Sequence, residues 1–133
     1  MKPSTETMLS FYQQLGRVFY GVAAADGTVR KGEAEKLKKI IKTEWVPAED
    51  TSDEFETDSA YQIEIVFDWL NENDWNKESI LADFSDFREE HPGLFSAKNR
   101  QLIMETAETI ADAFHNINKK EIRFLTELGQ ALA

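Results

Sequence analysis

The side chains in this 133-residue chain best able to do chemistry are carboxylates: 25 Asp and Glu stand beside only two His and no Cys. Three of them are set apart by position. Asp26-Gly27-Thr28-Val29, followed by Glu33, has the composition of a tight turn between two helices. At about 100° per residue, Asp26 falls in line with Leu15 and Val22, and Glu33 falls near Leu37 and Ile41. Both carboxylates therefore approach the apolar side of their helices, and Glu121 does the same in the last helix. Asp26, Glu33 and Glu121 are candidate ligands for a weakly bound hard cation, Ca or Mg, because oxygen donors suit those ions better than Zn. The alternative is architectural. Asp26 then bonds turn amides, while Glu33 and Glu121 sit in first helical turns, where glutamate caps the backbone and favours the helix dipole. Neither alternative requires a cofactor.

The same turn matches the second half of a calcium-binding EF-hand loop, but that register places Val22 and Ala24 at the first two liganding positions. Neither side chain offers oxygen, so the register fails the chemistry of an EF-hand. A second stripe, Glu105, Glu108, Asp112 and His115, contains a carboxylate-histidine pair three residues apart. It points away from Ile103 and Ile110, which predicts a solvated face. A third constellation joins Glu64, Asp68 and Glu72 to the apolar Ile65 and Trp69. Like charges four residues apart disfavour a helix by a few tenths of a kcal/mol per pair, which cations, a basic partner, or Lys and Arg from elsewhere in the chain would offset. These five residues form the candidate partner-binding face. Trp45, Trp69 and Trp75 are read as core or rim residues, an exposed one marking an interface.

Catalytic signatures are missing. There is no P-loop, no Gly-x-Gly-x-x-Gly, no His-Glu-x-x-His and no sensible Ser-His-Asp order. Carboxylates alone can hydrolyse bonds, which leaves a carboxylate-based hydrolase as an alternative to the expected non-enzyme.

The elements that position these groups are helices. Three Pro and six Gly punctuate the chain, and between them apolar residues recur at three- and four-residue spacing. Helix one is predicted from an N-cap at Ser4 to about Asp26, with Met8, Phe11, Leu15, Val18, Phe19 and Val22 inward. Helix two spans roughly Lys31 to Trp45, with Leu37, Ile40 and Ile41 inward, and Pro47 ends it. Glu49 to Asp58 reads as a solvated loop. Helix three, about Ser59 to Asn71, is apolar on two sides: Ile63, Val66, Phe67 and Leu70 on one, Ile65 and Trp69 on the other. Such a helix is central or partner-facing. Helix four, roughly Lys77 to Glu90, turns Ile80, Leu81, Phe84 and Phe87 inward and stops at Pro92-Gly93. Helix five runs from Ser96 to about Phe114 with Ile103, Ala107, Ile110 and Phe114 inward. Helix six runs from Asn118 to Leu132 with Phe124, Leu125, Leu128 and Ala131 inward, and Asn118 with Glu121 forms a capping box. The expected fold is all-α, one compact bundle of about six helices over residues 1–133.

Composition fits this expectation. A hydrophobic fraction of 41% with 9 Phe, 3 Trp and 3 Tyr is incompatible with a disordered chain. No apolar run approaches the roughly 18 residues that span a bilayer, and Met1 to Glu6 lacks the apolar stretch of a signal peptide, so a cytoplasmic address without membrane insertion is expected. The net charge of -10 argues against nucleic acid as a partner. Its distribution is uneven: Glu44 to Glu90 holds 16 acidic and 2 basic residues, leaving 9 acidic and 13 basic in the flanks. Either opposite charges cover different faces of one soluble domain, or the acidic middle attracts cations or a basic partner.

The two end pairs of helices align without gaps when Val29 is set on Ile117. Leu15, Val22, Ala23, Glu33, Leu37 and Ile40 then fall on Ile103, Ile110, Ala111, Glu121, Leu125 and Leu128, which is the pattern of an internal repeat. Ala24-Ala25-Asp26-Gly27-Thr28-Val29 with Glu33, at the junction of two helices, resembles the signature of the TerB-like family associated with tellurite resistance. Over both pairs the resemblance covers about half the chain. It implies a compact all-helical domain with a repeated helix-turn-helix, working as a cytoplasmic module of stress-response systems, with acidic residues that bind divalent metal and with partner proteins. The second copy departs from the pattern, having Phe114-His115 where the first has Asp26-Gly27. On this basis the chain is expected to be a non-catalytic interaction module that engages a protein partner, or a second copy of itself, through an acidic surface. The alternative is a divalent-cation-binding regulatory domain.

Overall fold

A computed structural model of the chain describes residues 5–25, 31–45, 61–73, 79–112 and 119–132. Over these residues it is an all-α bundle of six helices. They are α1 (Thr5–Ala23), α2 (Lys31–Ile40), α3 (Gln62–Asn73), α4 (Ile80–Glu90), α5 (Ala97–Ala111) and α6 (Lys119–Leu132). Ser4, Asp26, Gly27, Pro47, the segment from Glu49 to Asp58, Trp75, Phe114, His115 and Asn118 lie outside the described residues.

The central element is α1, which packs against α2, α3, α4, α5 and α6. Its sequence explains the position. Phe11, Leu15, Val18, Phe19 and Val22 form the expected inward stripe, but Tyr12, Tyr20 and Ala23 are buried as well, so the helix is enclosed around most of its circumference. Two glycines inside α1 permit close approach. A Cβ on Gly16 would stand 2.7 Å from the Ile63 carbonyl oxygen and 2.9 Å from the Val66 Cβ, so α3 crosses at backbone contact. On Gly21 the Phe124 ring of α6 takes the space, its Cε2 lying 2.8 Å from where a Cβ would be. The two-sided helix α3 is therefore not the central one. Ile63, Phe67 and Leu70 are buried against α1, and the other side faces out.

Several element ends depart from the periodicity. The α1 helix closes at Ala23, three residues short of Asp26, with the Ala24 and Ala25 amides bonded to the Tyr20 and Val22 carbonyls. After Ile40 the second helix widens into a π-helical turn, Ile41–Trp45. There the Thr43 hydroxyl donates to the Lys39 carbonyl at 2.9 Å, and Ile41 and Trp45 are both buried. The Trp45 indole nitrogen donates to the buried Thr106 hydroxyl at 3.1 Å, which itself donates to the Leu102 carbonyl at 2.8 Å, so the polar edge of the largest side chain in the core is satisfied. The α5 helix starts as expected at Ser96, whose hydroxyl accepts from the Asn99 amide, and it ends at Ala111 with Asp112 as its cap. Between α4 and α5, Pro92–Leu94 make a 3-10 turn. That turn delivers Leu94 and Phe95 into the core, where Phe95 meets the Phe11 and Phe84 rings edge-on.

Candidate functional site

Of the three candidate cation ligands, Asp26 lies outside the described residues. Glu33 and Glu121 occupy the third positions of α2 and α6 and are equally buried, each 2% exposed. Each is engaged by neighbouring groups. Deep burial of glutamate in a first helical turn is uncommon, because a carboxylate removed from water needs compensating donors. The helix amides and the positive end of the dipole supply that kind of environment. Among the described residues no group of three or more His, Cys, Asp or Glu side chains is placed to hold a metal ion. The paired positions at the two ends match in burial only in part: Leu125 is half-buried where its counterpart Leu37 is buried, and Ile40 is half-buried where Leu128 is buried. Leu15 with Ile103, Val22 with Ile110 and Ala23 with Ala111 are all buried.

The stripe on α5 is solvated where it is described, Glu105, Glu108 and Asp112 all being exposed. Gln101 donates to Glu105 at 2.9 Å along the same face. A shallow, open depression between α5 and α6 is lined by Ala97, Arg100, Gln101, Met104, Gly129 and Leu132. No carboxylate lines it.

The middle of the chain presents a different surface. On α3, Ile65 is 55% and Trp69 51% exposed, one helical turn apart. Along one side of them runs the stripe Glu64, Asp68 and Glu72, and the Asn73 side-chain amide donates to the Trp69 carbonyl at 2.8 Å, holding the last turn of α3. Trp69 thus belongs to neither core nor rim, whereas Trp45 is core. Flank cations reach two acids of the middle: Arg17 of α1 bonds Asp83 of α4 at 2.7 Å, and Lys38 of α2 bonds Asp68 of α3 at 3.4 Å. Both pairs are partly exposed and contribute at most about 1 kcal/mol each, but they show how the basic flanks offset the acidic middle. Glu64 and Glu72 have no ion-pair partner among the described residues.

The structure thus brings together all five residues of the candidate partner face on one helix. It leaves the candidate cation ligands as two separately described buried glutamates. Neither the exposure of Ile65 nor that of Trp69 could be settled by periodicity, which registers only that α3 is apolar on two sides. Comparison of the chain with protein-family models, with curated proteins and with solved structures gives no match. What the fold defines is a compact all-α bundle in which no described helix is long and apolar enough to cross a membrane.

Proposed function

We propose that this chain is a non-catalytic helical interaction module of the TerB-like class, which engages a protein partner through the acidic, apolar-centred face of α3. The exposure of Trp69 and Ile65 beside a stripe of carboxylates carries the proposal. Large apolar side chains placed side by side on a surface are a mark of interfaces, and tryptophan is among the residues that most often dominate their energy. The surrounding Glu64, Asp68 and Glu72 select a partner that offers an apolar contact flanked by Lys or Arg, since opposite charge steers encounter and excludes acidic competitors. The stress-related role and the cytoplasmic setting follow from the TerB-like resemblance and belong to the same proposal.

Immobilised protein is expected to retain a partner from source lysate. Trp69→Ala, at a half-exposed position, is expected to weaken that retention at least about tenfold. Undiminished retention by a Trp69→Ala, Ile65→Ala double variant, or a wild-type chain that retains nothing and is strictly monomeric, would overturn the proposal.

The second reading is a regulatory domain that binds Ca or Mg weakly with Asp26, Glu33 and Glu121, and it rests on the placement of these carboxylates toward the apolar sides of their helices. A site with a dissociation constant near 1 mM stabilises the fold by about 1.4 kcal/mol at about 10 mM cation, a rise in thermal midpoint on the order of 5 °C. That rise is expected for the wild type and is lost in Glu33→Gln. An unchanged midpoint and no heat of titration would remove this alternative.

A further inference from the structure

The described residues expose three large apolar side chains: Ile65 and Trp69 on α3, and Ile122 on α6, which is 52% exposed. The surroundings of Ile122 are the electrostatic inverse of those on α3. Lys119 and Arg123 are exposed beside it, and Thr126 continues the stripe one turn on, its hydroxyl donating to the Ile122 carbonyl. One of these cations, Arg123, is bridged to Glu127 at 3.5 Å, much as Asp68 among the three acids of α3 is bridged to Lys38. The α3 face therefore presents an apolar centre with three acids and one cation, and the α6 face an apolar centre with two cations and one acid, so the dominant signs are exchanged.

The two faces cannot meet within one copy. The α3 helix packs where Gly16 leaves room, and α6 packs where Gly21 does. Five residues along a helix correspond to a rotation of about 140°, so α3 and α6 flank α1 on widely separated sides. On α6, Ile122 lies two residues from Phe124, the side chain that contacts Gly21, and so points about 200° away from α1. On α3, Ile65 and Trp69 are turned well round the helix from Ile63, whose carbonyl meets Gly16, and are exposed. Both faces are turned outward on different flanks of the bundle.

We infer that the partner of the α3 face is the α6 face of a second copy of this chain, in a head-to-tail association that pairs Trp69 and Ile65 with Ile122, and Glu64, Asp68 and Glu72 with Lys119 and Arg123. This rests on the α3 face being a docking surface, as proposed above. Because the two surfaces differ, the contact is heterologous, and repeated addition makes open chains or rings rather than a closed two-fold dimer. Two helix stripes fall below the area of a standard interface, so the association is weak, concentration-dependent and sensitive to salt.

Sedimentation equilibrium of the full chain at about 0.05 M and about 0.5 M salt tests this, together with two variants whose substitutions lie at exposed positions. The wild type is expected to add copies progressively with concentration, and less so at the higher salt. Ile65→Ser with Trp69→Ser, which removes the α3 face, and Ile122→Glu, which turns the α6 face against the acids of α3, are each expected to be monomeric. Mixed, they are expected to form a 1:1 dimer and nothing larger, since each retains the face the other lacks. A monomeric mixture, self-association that survives Ile122→Glu, or a wild type that stays monomeric at both salts would overturn the inference. Trp69-dependent retention of a different protein by a monomeric wild type would overturn this inference alone and leave the α3 docking surface standing.

Discussion

Gly16→Val is expected to lower stability by about 3 kcal/mol, a fall in thermal midpoint of roughly 10 °C. A Cβ at this position meets the Ile63 carbonyl oxygen at 2.7 Å and the Val66 Cβ at 2.9 Å. The first obstacle is backbone and cannot swing aside, so relief requires α3 to move off α1 as a unit. The gain in helix propensity from replacing glycine is smaller than about 1 kcal/mol and does not offset this. Gly129, in α6, is the control: a Cβ there meets nothing within 4 Å, so Gly129→Ala keeps the propensity gain and is expected to raise the midpoint. Denaturant melts of the two variants check the contrast. Equal effects at Gly16 and Gly129 would mean that α1 and α3 are not in backbone contact.

Much of the fold was legible because the chain is built from amphipathic helices whose inward stripes recur at a single period. Leu15, Val22, Phe67, Phe84, Ile103 and Leu128 were all expected inside and are fully buried. What periodicity misses is how many sides of a helix are covered. Tyr12 and Tyr20 lie off the α1 stripe and are buried because five helices surround α1, a fact of packing rather than of local pattern. Gly16 and Gly21 were the available signal, since glycine inside a helix costs stability unless something needs the space. Phe95 escaped for a different reason: it follows Pro92-Gly93 in a short turn, where no period exists to assign it a side.

The candidate sites divide along similar lines. The approach of Glu33 and Glu121 to the apolar side follows from angular position alone, and their near-complete burial agrees with it. Whether Asp26 joins them is not a matter of helix geometry, because the Asp26-Gly27 turn lies beyond the end of α1 and outside the described residues. On α3 the two apolar sides allowed either a central helix or an outward face. Burial of Ile63, Phe67 and Leu70 together with exposure of Ile65 and Trp69 selects the second, since α1 already holds the centre.

Phe11→Ala is expected to cost about 3–5 kcal/mol, a large fraction of the roughly 5–15 kcal/mol that holds a domain of this size together. Phe11 is 1% exposed, and its ring lies 5.4 Å from Phe95, 5.5 Å from Tyr12 and 6.4 Å from Phe87, centroid to centroid. Its removal empties the point where α1 meets α4 and the turn before α5, and rings fixed by one another cannot collapse far into the gap. The damage lies at a different place from that of Gly16→Val. Phe11 ties α1 to the α4 side, whereas Gly16 seats α3 and with it Trp69. Below their respective midpoints the two variants should therefore part company. Phe11→Ala is expected to keep Trp69-dependent partner retention despite its larger loss of stability, and Gly16→Val to lose it while still helical by circular dichroism. If both lose retention only in proportion to the fraction unfolded, the seating of α3 on Gly16 does not control the docking face, and that face is held by Ile63, Phe67 and Leu70 alone.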